Sequence, residues 1–172
     1  LRLMQVCENY NTNIQLVSTS AVYGNNTSFK ETDPVYPQTP YAWSKFLIDK
    51  FLKENGYENF GMLVQNFRYF NVYGHGGQVF VLARKNGIIK LFEGSDKYQR
   101  DCVSVHDVAV VHEKMMHETD ACGLYNLGTG KTNNVEEVAK IIAKKYNAKI
   151  EYIPMPTHLK GQYQEYTCAD NE

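Results

Sequence analysis

The sequence contains no run of about eighteen apolar residues that would read as a membrane span, and no signal-peptide pattern. Its 18 Lys and Arg residues gather in no basic block, and against 19 Asp and Glu they leave a formal net charge of -1. The electrostatic footprint of a nucleic-acid binder is therefore missing. Cys7, Cys102, Cys122 and Cys168 show no Cys-x-x-Cys spacing, and the five histidines offer no His-x-x-x-His pair, His112 and His117 being five apart. That argues against a structural zinc site, a thioredoxin-like redox pair and a helical metal site. Proline is scarce, with only five residues.

What remains is 43% hydrophobic and 22% charged over 172 residues. This suits one soluble globular domain, or pieces of two small ones, and the expected location is the cytoplasm. The chain opens LRLMQVCENY without an initiator methionine, and its apolar spacing reads as the last turns of a helix entering a strand. A chain cut from within a larger fold is the expectation.

Residues 39–45, TPYAWSK, place a tyrosine and a lysine four apart behind a threonine-proline pair. Thr39 suits an N-cap and Pro40 the first helical position, so Tyr41 and Lys45 fall one turn apart on one side of a helix running to about Asn55. A lysine ammonium beside a phenol favours the phenolate and makes proton exchange near neutral pH accessible. The bland reading stays open, because Tyr and Lys four apart are common on helices. Along the same helix Trp43, Leu47, Ile48, Phe51 and Leu52 read as one apolar stripe against the core.

Upstream, IQLVSTSAV (14–22) begins as a buried strand and turns to small hydroxyl residues at its carboxyl end. MLVQNFRYFNV (62–72) reads as a second buried strand, whereas VFVLARKN stays unassigned. A short strand around Val103 and Val105, a helix from Val108 to Met116, a strand in GLYNLGTGKT, a helix from Val135 to Tyr146 and a strand in KIEYIP follow. This alternation predicts an α/β fold with a largely parallel sheet, in which ligands bind beyond the carboxyl ends of strands. Ser18, Thr19, Ser20, Asn71 and Gly74 occupy such ends. Thr19 supplies a hydroxyl to the crevice of Tyr41 and Lys45, a set suited to moving an alcohol proton while a hydride leaves its carbon. Thr19 and Ser20 as merely satisfied strand-end hydroxyls are the alternative.

STSAVYG, the YAWSK tyrosine and lysine, FRYFNVYG and RDCVSVHDV, in that order, resemble the extended short-chain dehydrogenase/reductases, the NAD-dependent epimerases and dehydratases of nucleotide sugars. KLFEGSDKYQRD, GLYNLGTGKT and IEYIPMPTHLKGQYQEYTCAD are most similar to the ADP-L-glycero-D-manno-heptose 6-epimerases within that family. The resemblance implies the C-terminal part of a Rossmann-type doubly wound parallel sheet plus a small substrate-binding α/β region. Residues 1–74 would be the C-terminal half of the dinucleotide-binding domain and 75–172 mainly the substrate region, with 101–118 returning to the first. It further implies NADP or NAD as cofactor, a nucleotide-diphosphate sugar as substrate, ADP-heptose foremost, and a homo-oligomer.

By the same resemblance Thr19, Tyr41 and Lys45 are catalytic and, with Phe70, touch the cofactor. Asn71, Arg100, Lys160, Gln162 and Tyr163 are substrate-binding, Arg100 through the diphosphate, where a guanidinium makes bidentate charge-assisted bonds. Arg100 as a surface ion pair with Asp101 is the bland alternative. The reaction implied is transient oxidation of the heptose C6 alcohol and return of the hydride to the other face.

Three departures stand against the pattern. A glycine loop between strand and helix, which would hold a cofactor pyrophosphate, is missing from these residues, and GTG at 128–130 follows a late strand and lacks the third glycine. Only sixteen residues separate Gly74 from Leu91, and Gly76 of His75-Gly76-Gly77 falls where the resemblance implies a second acid/base lysine. Cys102 and Ser104 replace the usual aromatics after RD. A truncated, non-catalytic relative serving as a binding or structural subunit therefore stays beside the epimerase reading.

Overall fold

A computed structural model describes residues 2–74, 77–118 and 120–171. Helix α1 (Arg2–Asn9) leads into strand β1 (Ile14–Thr19), a 3-10 turn (Ser20–Tyr23), a long loop and helix α2 (Pro40–Asn55). Strands β2 (Val64–Tyr69) and β3 (Asn71–Tyr73), helix α3 (Gln78–Asn86) and strands β4 (Ile88–Phe92) and β5 (Gln99–Ser104) follow. Helix α4 (Val105–Met116), strands β6 (Gly123–Leu127) and β7 (Thr132–Asn134), helix α5 (Val135–Tyr146) and strands β8 (Lys149–Ile153) and β9 (Tyr166–Thr167) complete the order.

The strands form three small sheets. In the first, β2 lies between β1 and β6, all parallel. The second joins β3, β7 and β9 to β5, with only the β5–β7 pair antiparallel. The third is the parallel pair β4–β8. The α/β class and the predominance of parallel pairing agree with the alternation of the sequence. None of the described helices is long and apolar enough to cross a membrane.

Local chemistry starts the helices where it should. The Thr39 side chain accepts from Ala42 N at 3.2 Å and Pro40 occupies the first turn of α2. Asn134 accepts from the Glu136 and Glu137 amides to open α5, which carries those acids in its first turn and Lys144 and Lys145 in its last. Ser104, one of the departures noted above, has a local role, since its hydroxyl accepts from His106 N and Asp107 N and caps α4.

The core lies in layers on either side of the first sheet. Met4, Ile14, Leu52, Met62 and Val64 pack under α1 and α2, and Phe67, Val103, Val108 and Leu127 pack under α4. A separate cluster of Ile89, Leu91, Ala139, Ile142 and Ala143 fills the space between the β4–β8 pair and α5. The predicted stripe of α2 needs correction. Trp43 is 51% and Leu47 60% exposed, with Ile48 also on the outer side, while Ala42, Asp49 and Leu52 are the buried positions. The helix is apolar on more than one side, and its packed face contains a charge that only a partner elsewhere, Arg68, makes tolerable.

Candidate active site

Thr19 closes β1 in an extended conformation (φ -151°, ψ 146°), and its Oγ1 accepts from Ala21 N at 3.2 Å, capping the 3-10 turn. The hydroxyl proton remains free to donate. Lys45 reaches across from α2 and donates from Nζ to the Val17 carbonyl at 2.9 Å, two residues before Thr19 on the same strand. One of its three protons is thereby used. Tyr41, a turn earlier, is 57% exposed. Lys45 thus reaches the carboxyl half of β1, which Thr19 closes, and α2 carries Tyr41 one turn before Lys45.

The resemblance-derived residues divide into those the fold assembles and those it does not. Arg100 on β5 is only 9% exposed, donates from Nη1 to the Gln99 carbonyl at 3.0 Å and lies 5.1 Å from the ring centre of Tyr163. It lines two cavities. One, of about 330 Å³, has an apolar wall of Leu91, Val138, Ala139 and Ile142 and includes Asn71. The other, of about 180 Å³, places Gln38 and Thr39 near Gln162 and Tyr163. Lys160 is exposed and lines neither. Phe70 is buried, its ring packed against Tyr23 and Phe29. The position of Gly76 lies outside the described residues.

The ion pair between Arg100 and Asp101 does not form. Asp101 is fully buried and accepts from the backbone amides of Thr129, Gly130 and Ala169 and from the Thr129 hydroxyl. Adjacent strand residues point to opposite faces, so the two charges part. The same contacts settle the use of GTG: its amides at Thr129 and Gly130 are committed to a carboxylate. A Cβ at Gly128 would stand 2.6 Å from Asp101 Oδ2, which explains the glycine there.

Cys102 lines the larger cavity as a thiol, since burial raises its pKa, the Asp101 charge adds to the rise and Arg100 opposes it. Two features escape a reading of the sequence. Gln164 donates from Nε2 to the carbonyls of Ser20 (3.2 Å) and Gly24 (2.7 Å), tying the segment of Gln162 and Tyr163 to the turn after Thr19. Its only sequence signal is membership of LKGQYQ. The second is the buried pair Asp49–Arg68. Each residue alone looks like an ordinary member of a helix or a strand.

A family model described as GDP-mannose 4,6 dehydratase matches residues 1–166. The chain belongs to this family. Among curated relatives, the ADP-L-glycero-D-manno-heptose-6-epimerase of Brachyspira hyodysenteriae is 34% identical over 98% of this chain and 58% of its own length. That of Alkalilimnicola ehrlichii is 36% identical over 89% of this chain and 53% of its own. Among solved structures, the UDP-glucose 4-epimerase of Thermus thermophilus in complex with NAD superposes with a TM-score of 0.79 at 28% identity, over 98% of this chain and 58% of that one. The chain spans a little over half the length of these family members. Its Rossmann-type topology agrees with the doubly wound sheet that the resemblance implies.

Proposed function

We propose that the chain supplies the catalytic and substrate-binding residues of a nucleotide-sugar epimerase, with ADP-glycero-manno-heptose as substrate and C6 as the inverted centre. The observation that carries this is the pairing of two sets. Lys45, on the Tyr41 helix, bonds the Val17 carbonyl two residues before Thr19 on β1, and Arg100 shares a cavity with Ala21 and Gly24 of the turn after Thr19, with no carboxylate partner among the described residues. Gln164 binds the segment next to Arg100 onto the turn that Thr19 caps, which supports reading the two sets as one site.

In this reading Tyr41 takes the proton of the sugar hydroxyl and returns it, while Thr19 donates a hydrogen bond to the oxygen as negative charge develops on it. Lys45, with two protons still free, would hold the ribose of NADP or NAD and lower the pKa of the phenol. When bound, that cofactor supplies the acceptor and donor of a hydride. Arg100 binds the diphosphate, and Asn71, Gln162 and Tyr163 line the space for the rest of the ligand. These groups suit the nicotinamide end of a cofactor. The GTG turn offers no cradle for its diphosphate, because its amides serve Asp101.

Residues 1–74 are assigned to the dinucleotide-binding half and 75–172 mainly to the substrate half, in a cytoplasmic enzyme of lipopolysaccharide precursor supply. The exposed apolar sides of α1 and α2, with Leu3, Val6, Trp43 and Leu47, support a homo-oligomer. A non-catalytic binding or structural subunit is the second reading, favoured by the committed GTG amides.

The test is turnover of ADP-glycero-manno-heptose by the polypeptide as isolated from its source, with NAD or NADP, followed by the NMR signals of the C6 epimers. Tyr41→Phe is expected to lower kcat by about 10²–10⁴-fold without unfolding the protein. Turnover of other nucleotide sugars alone would overturn the heptose assignment. Absence of any turnover would favour the second reading.

A further inference from the structure

The Asp49–Arg68 pair is buried to 3% and 4% exposure, and its contacts reach the helix that carries Tyr41 and Lys45 and the turn that Thr19 caps. Asp49 lies one turn beyond Lys45 on α2. Its carboxylate accepts from Arg68 Nε at 2.9 Å and from Asn66 Nδ2 at 2.8 Å, both on β2. The Arg68 guanidinium lies 4.7 Å from the ring centre of Tyr23, the last residue of the turn that Thr19 caps. The Tyr23 phenol donates to Asn126 Oδ1 of β6 at 2.8 Å. Helix, central strand, turn and outer strand are thus tied through a single buried cluster.

Stability does not explain a charge pair at this place. Taking two ions out of water costs about as much as their attraction returns, and apolar residues of similar volume commonly serve as well or better. What apolar contact lacks is direction. A carboxylate that must meet two donors on β2 admits one axial position of α2, whereas aliphatic surfaces tolerate sliding. A slide of about 1 Å would carry Tyr41 and Lys45 away from Thr19, and misplacements of that size cost about a hundredfold in rate.

We infer that Asp49 and Arg68 are positioning residues, a buried clamp that fixes the height of Tyr41 and Lys45 on α2 against Thr19 on β1. The inference rests on the proposal that these three groups act as one set.

The experiment replaces the pair by apolar residues, Asp49→Leu with Arg68→Met, so that no charge is left stranded. Backbone hydrogen exchange over residues 40–47 is compared with exchange over β1 and β2, alongside kcat and KM. The double variant is expected to remain folded, to exchange several-fold faster in the first turns of α2 while the strands keep their protection, and to lose about a hundredfold in kcat with KM within about twofold. Arg68→Lys, which can still meet Asp49 but without a guanidinium plane over Tyr23, is expected to recover part of the rate. A folded double variant with unchanged exchange in α2 would overturn the clamp. An unfolded one would overturn it too, since the pair would then carry the fold itself. If the unmodified protein turns over no nucleotide sugar, the functional reading fails separately, and exchange alone decides whether the clamp exists.

Discussion

Arg68 and Arg100 are nearly matched in burial, 4% against 9%, and each lies over a tyrosine ring, at 4.7 Å and 5.1 Å. Arg68 has a carboxylate at 2.9 Å, whereas the acid next to Arg100 in sequence is taken by a glycine turn on the other face of β5. Burial works against the Arg68 charge, but Tyr23 and Asp49 more than offset it and its pKa is raised. The comparison teaches that a buried guanidinium is not itself a sign of a binding site. A guanidinium that borders cavities and lacks an anion differs in that its desolvation has been met and a ligand's negative charge would complete the balance.

The largest expected effect comes from breaking the paired member. Arg68→Met strands Asp49 in the core, and denaturant unfolding should show a loss of about 3–5 kcal/mol. Arg100→Met should cost less, about 1–2 kcal/mol, since a ring stack and one hydrogen bond to a neighbouring carbonyl are lost and no charge is stranded. An equal loss at both positions would erase the distinction between them.

The next effect sharpens the role of Arg100. The same Arg100→Met variant should bind ADP more weakly by about 1.5–3 kcal/mol, the worth of a charge-assisted hydrogen bond, as read by calorimetry. Arg68→Lys, where it folds, should leave ADP affinity unchanged.

A smaller effect probes why Asp101 is unavailable to Arg100. Thr129→Val removes the hydroxyl that donates to Asp101 at 2.6 Å and should cost about 0.5–1.5 kcal/mol of stability. ADP affinity should not fall, because Asp101 keeps its backbone donors and stays on its own face.

The smallest effect is a pH control on both arginines. His112 sits behind the first sheet, with Nδ1 facing Gln15 Oε1 at 2.7 Å and Nε2 facing the Tyr69 phenol, and burial lowers its pKa. Folding therefore favours the neutral ring. Its contribution is present above the unfolded value near 6.5 and is lost as pH falls through the lowered folded value. The melting temperature should drop on acidification in this window, and His112→Gln should flatten that slope without altering the difference between the arginine variants.

Much of this is legible in the sequence where the causes are local. Thr39, Pro40, Tyr41 and Lys45 declare a helix start and a one-turn pair, and the start of α2 follows them. α3 escapes assignment because nine residues give periodicity too few repeats. β4 has no local signal, as its partner β8 lies about sixty residues later in the chain. The stripe of α2 misleads because a hydrophobic count cannot rank two apolar faces when the buried one is chosen by an ion pair. The RD dipeptide misleads for the opposite reason: neighbours in sequence are opposed in a strand.

The hydrogen bonds of Gln164 span 144 and 140 residues to Ser20 and Gly24, and that of Asn25 spans 136 to Gly161. During synthesis β1 and its turn leave the ribosome long before these partners exist. The first sheet can pair as soon as β6 emerges, but the contacts to the turn after Thr19 await residues 161–164. A product stopped before Gly161 would thus hold the Tyr41 helix in place while leaving Arg100 without the Tyr163 ring over it, folded in appearance yet open on the substrate side.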